Sequence, residues 1–451
     1  MKVLIIGGGG REHAIVAKLA KSPRGLQLHA APGNAGMGEL AECHNVKSTD
    51  IDGIVALARK LDADWVFVAP DDPLVMGLVD ELEAAGFKTF GPRKNAAVLE
   101  GSKSFSKSFM ERYNIPTAAY KTFCGENQAE AAIEYIKARN RYPAVIKCDG
   151  LALGKGVIIA ADEQEAVAAI REMMIEGRFG ESGREIVIEE FLSGTEVTVL
   201  AFTDGKTIVP MPPSTDHKRA YDNDEGANTG GMGVVAGTHA LPYYTEAVAA
   251  QAMERVFLPT IRGMAAEGRP FKGCLYFGLM LTDMIKAEEN EESRLECSDC
   301  KGEVIQSRQV SVIEYNCRFG DPEAQAVLPL LQTDLFEIME VIHEERLGEI
   351  DARFSDKASA CVVMASGGYP DKYDTGFPIK LPHSTDSNSL IYHAGTTVSD
   401  GELVTAGGRV LGVVGVADGL RDALGVAYKT VLEIKFEGAH YRRDIGKKAL
   451  E

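Results

Sequence analysis

Along the first hundred residues, continuous apolar runs alternate with segments of helical period. Runs at 2–6 (KVLII), 27–31 (QLHAA), 65–69 (WVFVA) and 87–90 (FKTF) predict strands, while 11–22, 52–61 and 73–85 predict helices. This alternation predicts a doubly wound, mostly parallel sheet, with ligands at the C-terminal ends of its strands. From Gly101 the pattern changes. A helix is expected at 103–113, ended by Tyr113-Asn114-Ile115-Pro116, because the residue before proline avoids helical dihedrals. A smaller α/β unit follows, with strands near 143–148, 156–160 and 185–190 and helices near 128–139 and 162–176. Strands 195–203 and 206–210 meet at a Thr203-Asp204-Gly205-Lys206 turn. A polar, Gly-rich loop is expected over 212–240, a long helix over 244–267, and strands near 273–282 and 310–316. After a helix near 334–346, the last unit carries strands near 359–365 and 409–416 and a helix near 418–434. The expected division is 1–102, 103–349 (small lobe at about 118–192, insertion at about 284–309) and 350–451.

Charge and composition narrow the function. A formal charge of −18 argues against nucleic acid or an anionic membrane as the main partner, but not against phosphate ligands. No apolar run approaches the ~18 residues of a membrane helix, and the N-terminus turns directly into glycines, so a cytoplasmic protein is expected. The eight cysteines follow no disulfide framework. Cys297 and Cys300 have the spacing of half a zinc site, with no second pair or nearby His to complete it. The acids at 288, 289, 291 and 292 read as an exposed insertion rather than a catalytic cluster.

Four stretches carry candidate chemistry. Gly7-Gly8-Gly9-Gly10-Arg11-Glu12 follows a strand and opens a helix, the context for phosphate capture by backbone N–H groups. It invites a dinucleotide reading, but Glu12 stands where that fingerprint needs a small residue. Residues 147–156 (KCDGLALGKG) form a glycine loop between strands, either a phosphate cover flanked by Lys147 and Lys155 or a flexible hairpin. Asp216-His217-Lys218-Arg219, continuing to Asn228-Thr229-Gly230-Gly231-Met232-Gly233, suits a mobile lid over anions, or a surface loop. In VIEYNCRFGDPE (312–323), Glu314 and Asn316 share one strand face about 6–7 Å apart. That face is either a hard-cation site or a solvated strand edge.

The order GGGGREH, PGNAG (32–36), GSKSFSK (101–107), IKCDGLALGKGV (146–157), EEFLSGTE (189–196), DHKRAYDNDEGANTGGMG (216–233), IEYNCRFGDPEAQ (313–325), HAGTTVSDGELVTAGGRVLGV (393–413) and YRRDIG (441–446) closely resembles the phosphoribosylamine–glycine ligases. These glycinamide ribonucleotide synthetases are ATP-grasp enzymes of purine synthesis, and the resemblance covers essentially the whole chain. It implies an α/β fold with an N-terminal parallel-sheet domain, a central two-lobed ATP-grasp region and a small C-terminal α/β domain. It implies ATP, glycine and phosphoribosylamine as substrates, a monomer, and Mg²⁺ or Mn²⁺ held by Glu314 and Asn316. Lys103, Lys147 and Lys155 would meet ATP phosphates. Glu189, Glu190, Phe191 and Leu192 would form the adenine connection, with Glu196 on the ribose. Gly8, Gly9, Gly10, Arg11, Glu12, Gly33 and Asn34 would hold phosphoribosylamine. Asp216, Lys218 and Arg318 would position glycine and its acyl phosphate. The alternative is another ATP-grasp ligase or carboxylase of ribonucleotide metabolism.

Two departures stand out. Asp71-Asp72 replaces the family's usual Glu-Ala, and the hairpin before the Glu314 strand carries the acidic insertion. The chain also stops shortly after YRRDIG, so the fused later-pathway domains of some relatives are not expected.

Overall fold

The computed structural model describes residues 1–125, 128–151, 156–283, 308–384 and 386–451. Lys155, the glutamates at 288–292 and Cys297 and Cys300 lie outside these residues. Among the described residues no helix is long and apolar enough to cross a membrane.

The first unit is a five-stranded, all-parallel sheet. In chain order it contains β1 (Lys2–Gly7), α1 (Gly10–Leu19), β2 (Gln27–Pro32), β3 (Glu42–Cys43), α2 (Ile51–Leu61), β4 (Trp65–Val68), α3 (Asp71–Met76), α4 (Leu78–Ala84) and β5 (Lys88–Phe90). The strand order is β3-β2-β1-β4-β5. β1 and β4 are buried on both faces, which is why they read as unbroken apolar runs. The helix expected at 73–85 is instead two, broken at Gly77, whose φ of 101° a side-chain-bearing residue rarely adopts.

Helices α5 (Lys94–Gly101) and α6 (Lys103–Arg112) lead into the small lobe. That lobe contains β6 (Tyr120–Cys124), α7 (Ala129–Arg139), β7 (Ala144–Cys148), β8 (Val157–Ala160), α8 (Glu163–Met174) and β9 (Glu185–Glu190), as an antiparallel sheet in the order β6-β9-β7-β8. It has its own apolar core, in which Ile133, Ile136, Ile146, Ile170, Ile186 and Ile188 meet, separate from the two larger cores.

The remaining chain builds one long sheet and two separate two-stranded ones, at 219–228 and 396–405. β10 (Thr195–Thr203) and β11 (Ile208–Pro210) form the hairpin read at 203–206. The stretch expected to be a loop over 212–240 instead contains four short strands: β12 (Ser214–Asp216), β13 (Arg219–Tyr221), β14 (Glu225–Asn228) and β15 (Gly233–Ala236). The helix expected over 244–267 is α9 (Glu246–Ala252) and α10 (Leu258–Ala266), joined through a π-helical turn at Met253–Phe257. Then come β16 (Gly273–Asp283), β17 (Arg308–Asn316), α11 (Glu323–Val327), α12 (Leu335–His343), β18 (Ala358–Ala365), β19 (Ser389–His393), β20 (Thr396–Ser399), β21 (Glu402–Thr405), β22 (Arg409–Ala417), α13 (Leu420–Glu433) and α14 (Lys447–Leu450). The sheet order β17-β16-β10-β12-β15-β18-β22-β19 carries hydrogen bonding from the central region straight into the last hundred residues.

Candidate active site

A cavity of about 440 Å³ lies where the small lobe, the long sheet and the C-terminal ends of the parallel strands converge. Its lining includes Lys103, Lys107, Lys147 and Glu189 from the small-lobe side, Glu314, Asn316 and Arg318 from β17 and its turn, and Arg11, Asp71 and Arg409 at the far side.

The small-lobe side is built by α6. Ser102 caps this helix, its Oγ accepting the N–H of Phe105 at 3.0 Å, and this fixes Lys103 and Lys107 one turn apart on the cavity face. Lys107 and Lys147 converge on the Glu189 carboxylate at 2.8 and 3.0 Å, with all three side chains almost fully buried. Burial alone would raise the Glu189 pKa, yet Lys147 and Lys107 hold it below the usual carboxylate range. Lys103 makes no ion pair among the described residues. Its Nζ donates to the carbonyl of Gly150 at 3.0 Å, leaving its charge for an incoming anion. Sequence reasoning missed Lys107, although its spacing of four from Lys103 was a usable signal.

β17 supplies the opposite wall. The pairing with β16 slips between Gly278 and Leu279, making Ile313 the extra residue of a bulge. The freed carbonyl of Ile313 accepts the Lys147 ammonium at 3.2 Å across the cleft. Glu314 and Asn316 both line the cavity, and the Tyr315 side chain between them packs into the core with its hydroxyl 2.9 Å from that of Thr260. Glu314 faces Gly278, where a Cβ would stand 3.0 Å from its Cγ. Burial would raise the Glu314 pKa, but Lys218, Lys147, Lys103 and Arg318 keep it lowered.

Next to Glu314, Lys218 pairs with Glu196 and stands 3.8 Å from Glu314. Asp216 and Glu323 are both pushed above the usual carboxylate range by burial, and Asp216 further by the charge of Glu323. Asp216 Oδ1 is buried with no hydrogen-bond partner among the described residues. Arg318 is clamped by Glu100 at 2.9 Å and Asp71 at 3.5 Å. Asp71, rather than Asp72, is therefore the acid that lines the cavity.

Around the glycine loop, side chains are committed to shaping backbone. Glu12 accepts the Gly9 N–H at 2.6 Å and the Arg11 Nε at 2.5 Å, a helix cap that accounts for an acid at this position. Gly8 has no room for a side chain, since its Cβ would lie 2.4 Å from the Gly33 carbonyl oxygen. Asn34 ties the loop together, donating to Gly8 O at 2.9 Å and His393 O at 2.8 Å. Gly10 lies against Gln325, while Gly9 approaches Asp321, itself a cavity residue. Of the residues read for phosphoribosylamine, Arg11 lines the cavity. Gly8, Gly9, Gly10, Glu12, Gly33 and Asn34 lie beside it and are not part of its lining. Of the adenine set, Glu189 lines it. Glu190 and Phe191 are exposed, with Leu192 half-buried, in the connection to β10.

The 216–233 segment differs most from its expectation. Rather than a free lid, its β13–β14 hairpin is pinned by YRRDIG: buried Arg442 binds Asp224 at 2.9 Å and Asp444 at 2.8 Å, and Asp444 accepts the Asn223 N–H at 2.8 Å. His217 is buried, not a surface residue. Its Nδ1 donates to Gly233 O at 3.1 Å and its Nε2 accepts the Gly446 N–H at 3.0 Å, the pattern of a neutral ring. Arg409 secures Gly230, donating to its carbonyl at 2.7 Å, and approaches the Asp321 carboxylate at 3.3 Å.

Comparison with known proteins agrees along the whole chain. Models of the phosphoribosylglycinamide synthetase N domain, ATP-grasp (A) domain and C domain match residues 1–100, 101–290 and 359–448. The chain belongs to the phosphoribosylglycinamide synthetase family. A phosphoribosylamine–glycine ligase of Caldanaerobacter subterraneus subsp. tengcongensis is 42% identical over 445 residues, 99% of each chain. The crystal structure of the Thermotoga maritima phosphoribosylamine–glycine ligase superposes with a TM-score of 0.80 at 32% identity, covering 99% of this chain and 100% of that one. The ATP-grasp architecture extends further, to the biotin carboxylase domain of Hydrogenobacter thermophilus 2-oxoglutarate carboxylase. That domain has a TM-score of 0.70 at 15% identity, covering 98% of this chain and 91% of that one, a likeness of fold alone.

Proposed function

We propose that the chain joins glycine to 5-phosphoribosylamine at the expense of ATP, giving glycinamide ribonucleotide, ADP and phosphate in purine biosynthesis. One observation carries this reading: a single cavity runs from Lys103, Lys147 and Glu314 to Arg11, Asp71 and Asp321 beside the glycine loop. A nucleotide end and a phosphosugar end are thereby continuous.

Most cavity cations already have anionic partners, so the phosphates of ATP bring charge that the side chains alone do not offset. The donors at that point are oxygens, Glu314 and Asn316, with Asp216 Oδ1 buried nearby. This set fits a hard divalent cation such as Mg²⁺ or Mn²⁺. Glu314 and Asn316 would hold it, and when bound it would offset charge on the transferred phosphoryl group.

The remaining residues divide the labour. Lys103 and Lys147 meet the phosphates, joined by Lys155 from the glycine loop. The backbone of Glu190–Leu192 takes the adenine edge and Glu196 the ribose. A glycine carboxylate oxygen attacks the γ-phosphorus, ADP leaves, and glycyl phosphate forms. Arg318 and Lys218 hold the anionic end of this intermediate, and the carboxyl groups of Asp216 and Glu323 receive the ammonium end. The phosphoribosylamine nitrogen, brought by Arg11 and the glycine loop, then attacks the carbonyl carbon and expels phosphate. No covalent enzyme intermediate is required. The separate core of the small lobe allows it to close on the site and exclude water. The same reading takes the protein as a cytoplasmic monomer.

ADP release with Mg²⁺ and ATP, omitting glycine and freshly made phosphoribosylamine in turn, tests the reading. Release that needs both upholds it. Release that needs bicarbonate instead moves the protein to a carboxylase.

A further inference from the structure

The outer edge of the N-terminal sheet carries a cluster unrelated to the cavity. β2 and β3 pair in parallel with His29 directly opposite Glu42, and His44 follows, its N–H donating to the Ala30 carbonyl at 2.8 Å. Three ligand-type side chains converge there. His29 Nδ1 lies 3.1 Å from His44 Nε2 and 3.5 Å from Glu42 Oε2, and Glu42 Oε1 lies 4.0 Å from His44 Nε2. Metal–ligand bonds of about 2.0–2.1 Å in a tetrahedron set neighbouring ligand atoms about 3.3–3.4 Å apart. The 3.1 Å and 3.5 Å separations from His29 Nδ1 bracket that edge length.

We propose that His29, Glu42 and His44 form a binding site for Zn²⁺ or a similar first-row divalent ion. Two imidazoles and one carboxylate are the donors such ions favour over Mg²⁺. A hydrogen bond between the two rings would account for one contact, but not for a carboxylate turned toward both rings. His29 is buried, with its Nδ1 turned toward both partners. Glu42 is 68% exposed at its side chain, leaving the fourth position open to water. The nearby cation, Lys2, has its ammonium on the Leu61 carbonyl at 2.7 Å. The site is a clasp. Its ligands bracket the segment from Pro32 to Leu40, so an ion there ties the edge strand β3 to β2 across the Gly33-Asn34 turn.

The test uses the full chain, stripped with a chelator and reloaded with Zn²⁺, in a Cys297→Ser/Cys300→Ser background so that thiols do not contribute. One bound equivalent is expected after gel filtration, with a rise in melting temperature on loading. Glu42→Ala and His44→Ala should each weaken binding by ~10-fold or more and abolish that rise. Turnover with Mg²⁺ should be unchanged, which also shows that the variants fold. No bound zinc in the background protein, or equal binding in both variants, overturns the proposal.

Discussion

Glu189 and Glu314 both sit among lysines in one cavity, but in opposite states of completion. The Glu189 side chain and its two lysines are 2–6% exposed and ion-paired, whereas Glu314 and Lys218 are 35–36% exposed with several acids crowded behind one ammonium. Two buried ammonium groups on one carboxylate leave a single surplus positive charge for a phosphate, and removing the carboxylate strands both of them in the interior. An open, unbalanced cluster costs little to leave in water and gains when a cation or substrate arrives. The first positions the cleft; the second is where chemistry is expected.

The sharpest way to break this comparison is Glu314→Ala. ADP formation dependent on both substrates should fall by about 10³-fold or more, with little change in melting temperature. Glu189→Ala should behave in reverse order, losing about 3 kcal/mol of stability on denaturant titration because Lys107 and Lys147 are left unpaired. If each variant affects both readouts equally, the distinction fails. Removing one of the two stranded ammonium groups as well, in Lys107→Met with Glu189→Gln, should recover part of that stability, with Lys147 still unpaired.

A pH series sharpens the structural side. Burial lowers His13 from 6.5 to about 3 and His217 and His393 to about 4. The unfolded chain therefore takes up protons first, and stability is lost as pH falls from about 6.5 toward 4. Melting temperature should drop by several degrees over that window, and less in a His217→Asn variant. The smallest effect is expected at Glu196→Gln, a KM increase for ATP of about tenfold or less with kcat nearly kept.

What was legible in the sequence was what neighbours in the chain decide. The parallel sheet showed because β1 and β4 are buried on both faces, and Glu314 and Asn316 share a face because strands alternate. The bulge at Ile313, which frees a carbonyl for Lys147, has no local signature. Nor do β13 and β14, whose sequences RAY and EGAN carry no apolar alternation and are held by Arg442, more than two hundred residues later. Glu12 looked like a blemish in a dinucleotide fingerprint until its two oxygens were seen to cap Gly9 and hold Arg11. The partners of Arg318 and Arg409 lie far away in sequence, and pairing at that distance leaves no trace in composition or period.

The long sheet also dictates an order of events during synthesis. β15 finds its outer partner only in β18, and β18 in turn needs β22, whose last residue is Ala417. While the ribosome is still making those strands, β15 presents an open row of amides and carbonyls that another nascent chain can occupy. A chain interrupted at 349 would keep the cavity lysines and Glu314 yet leave that edge bare, so its failure would be aggregation rather than slow turnover.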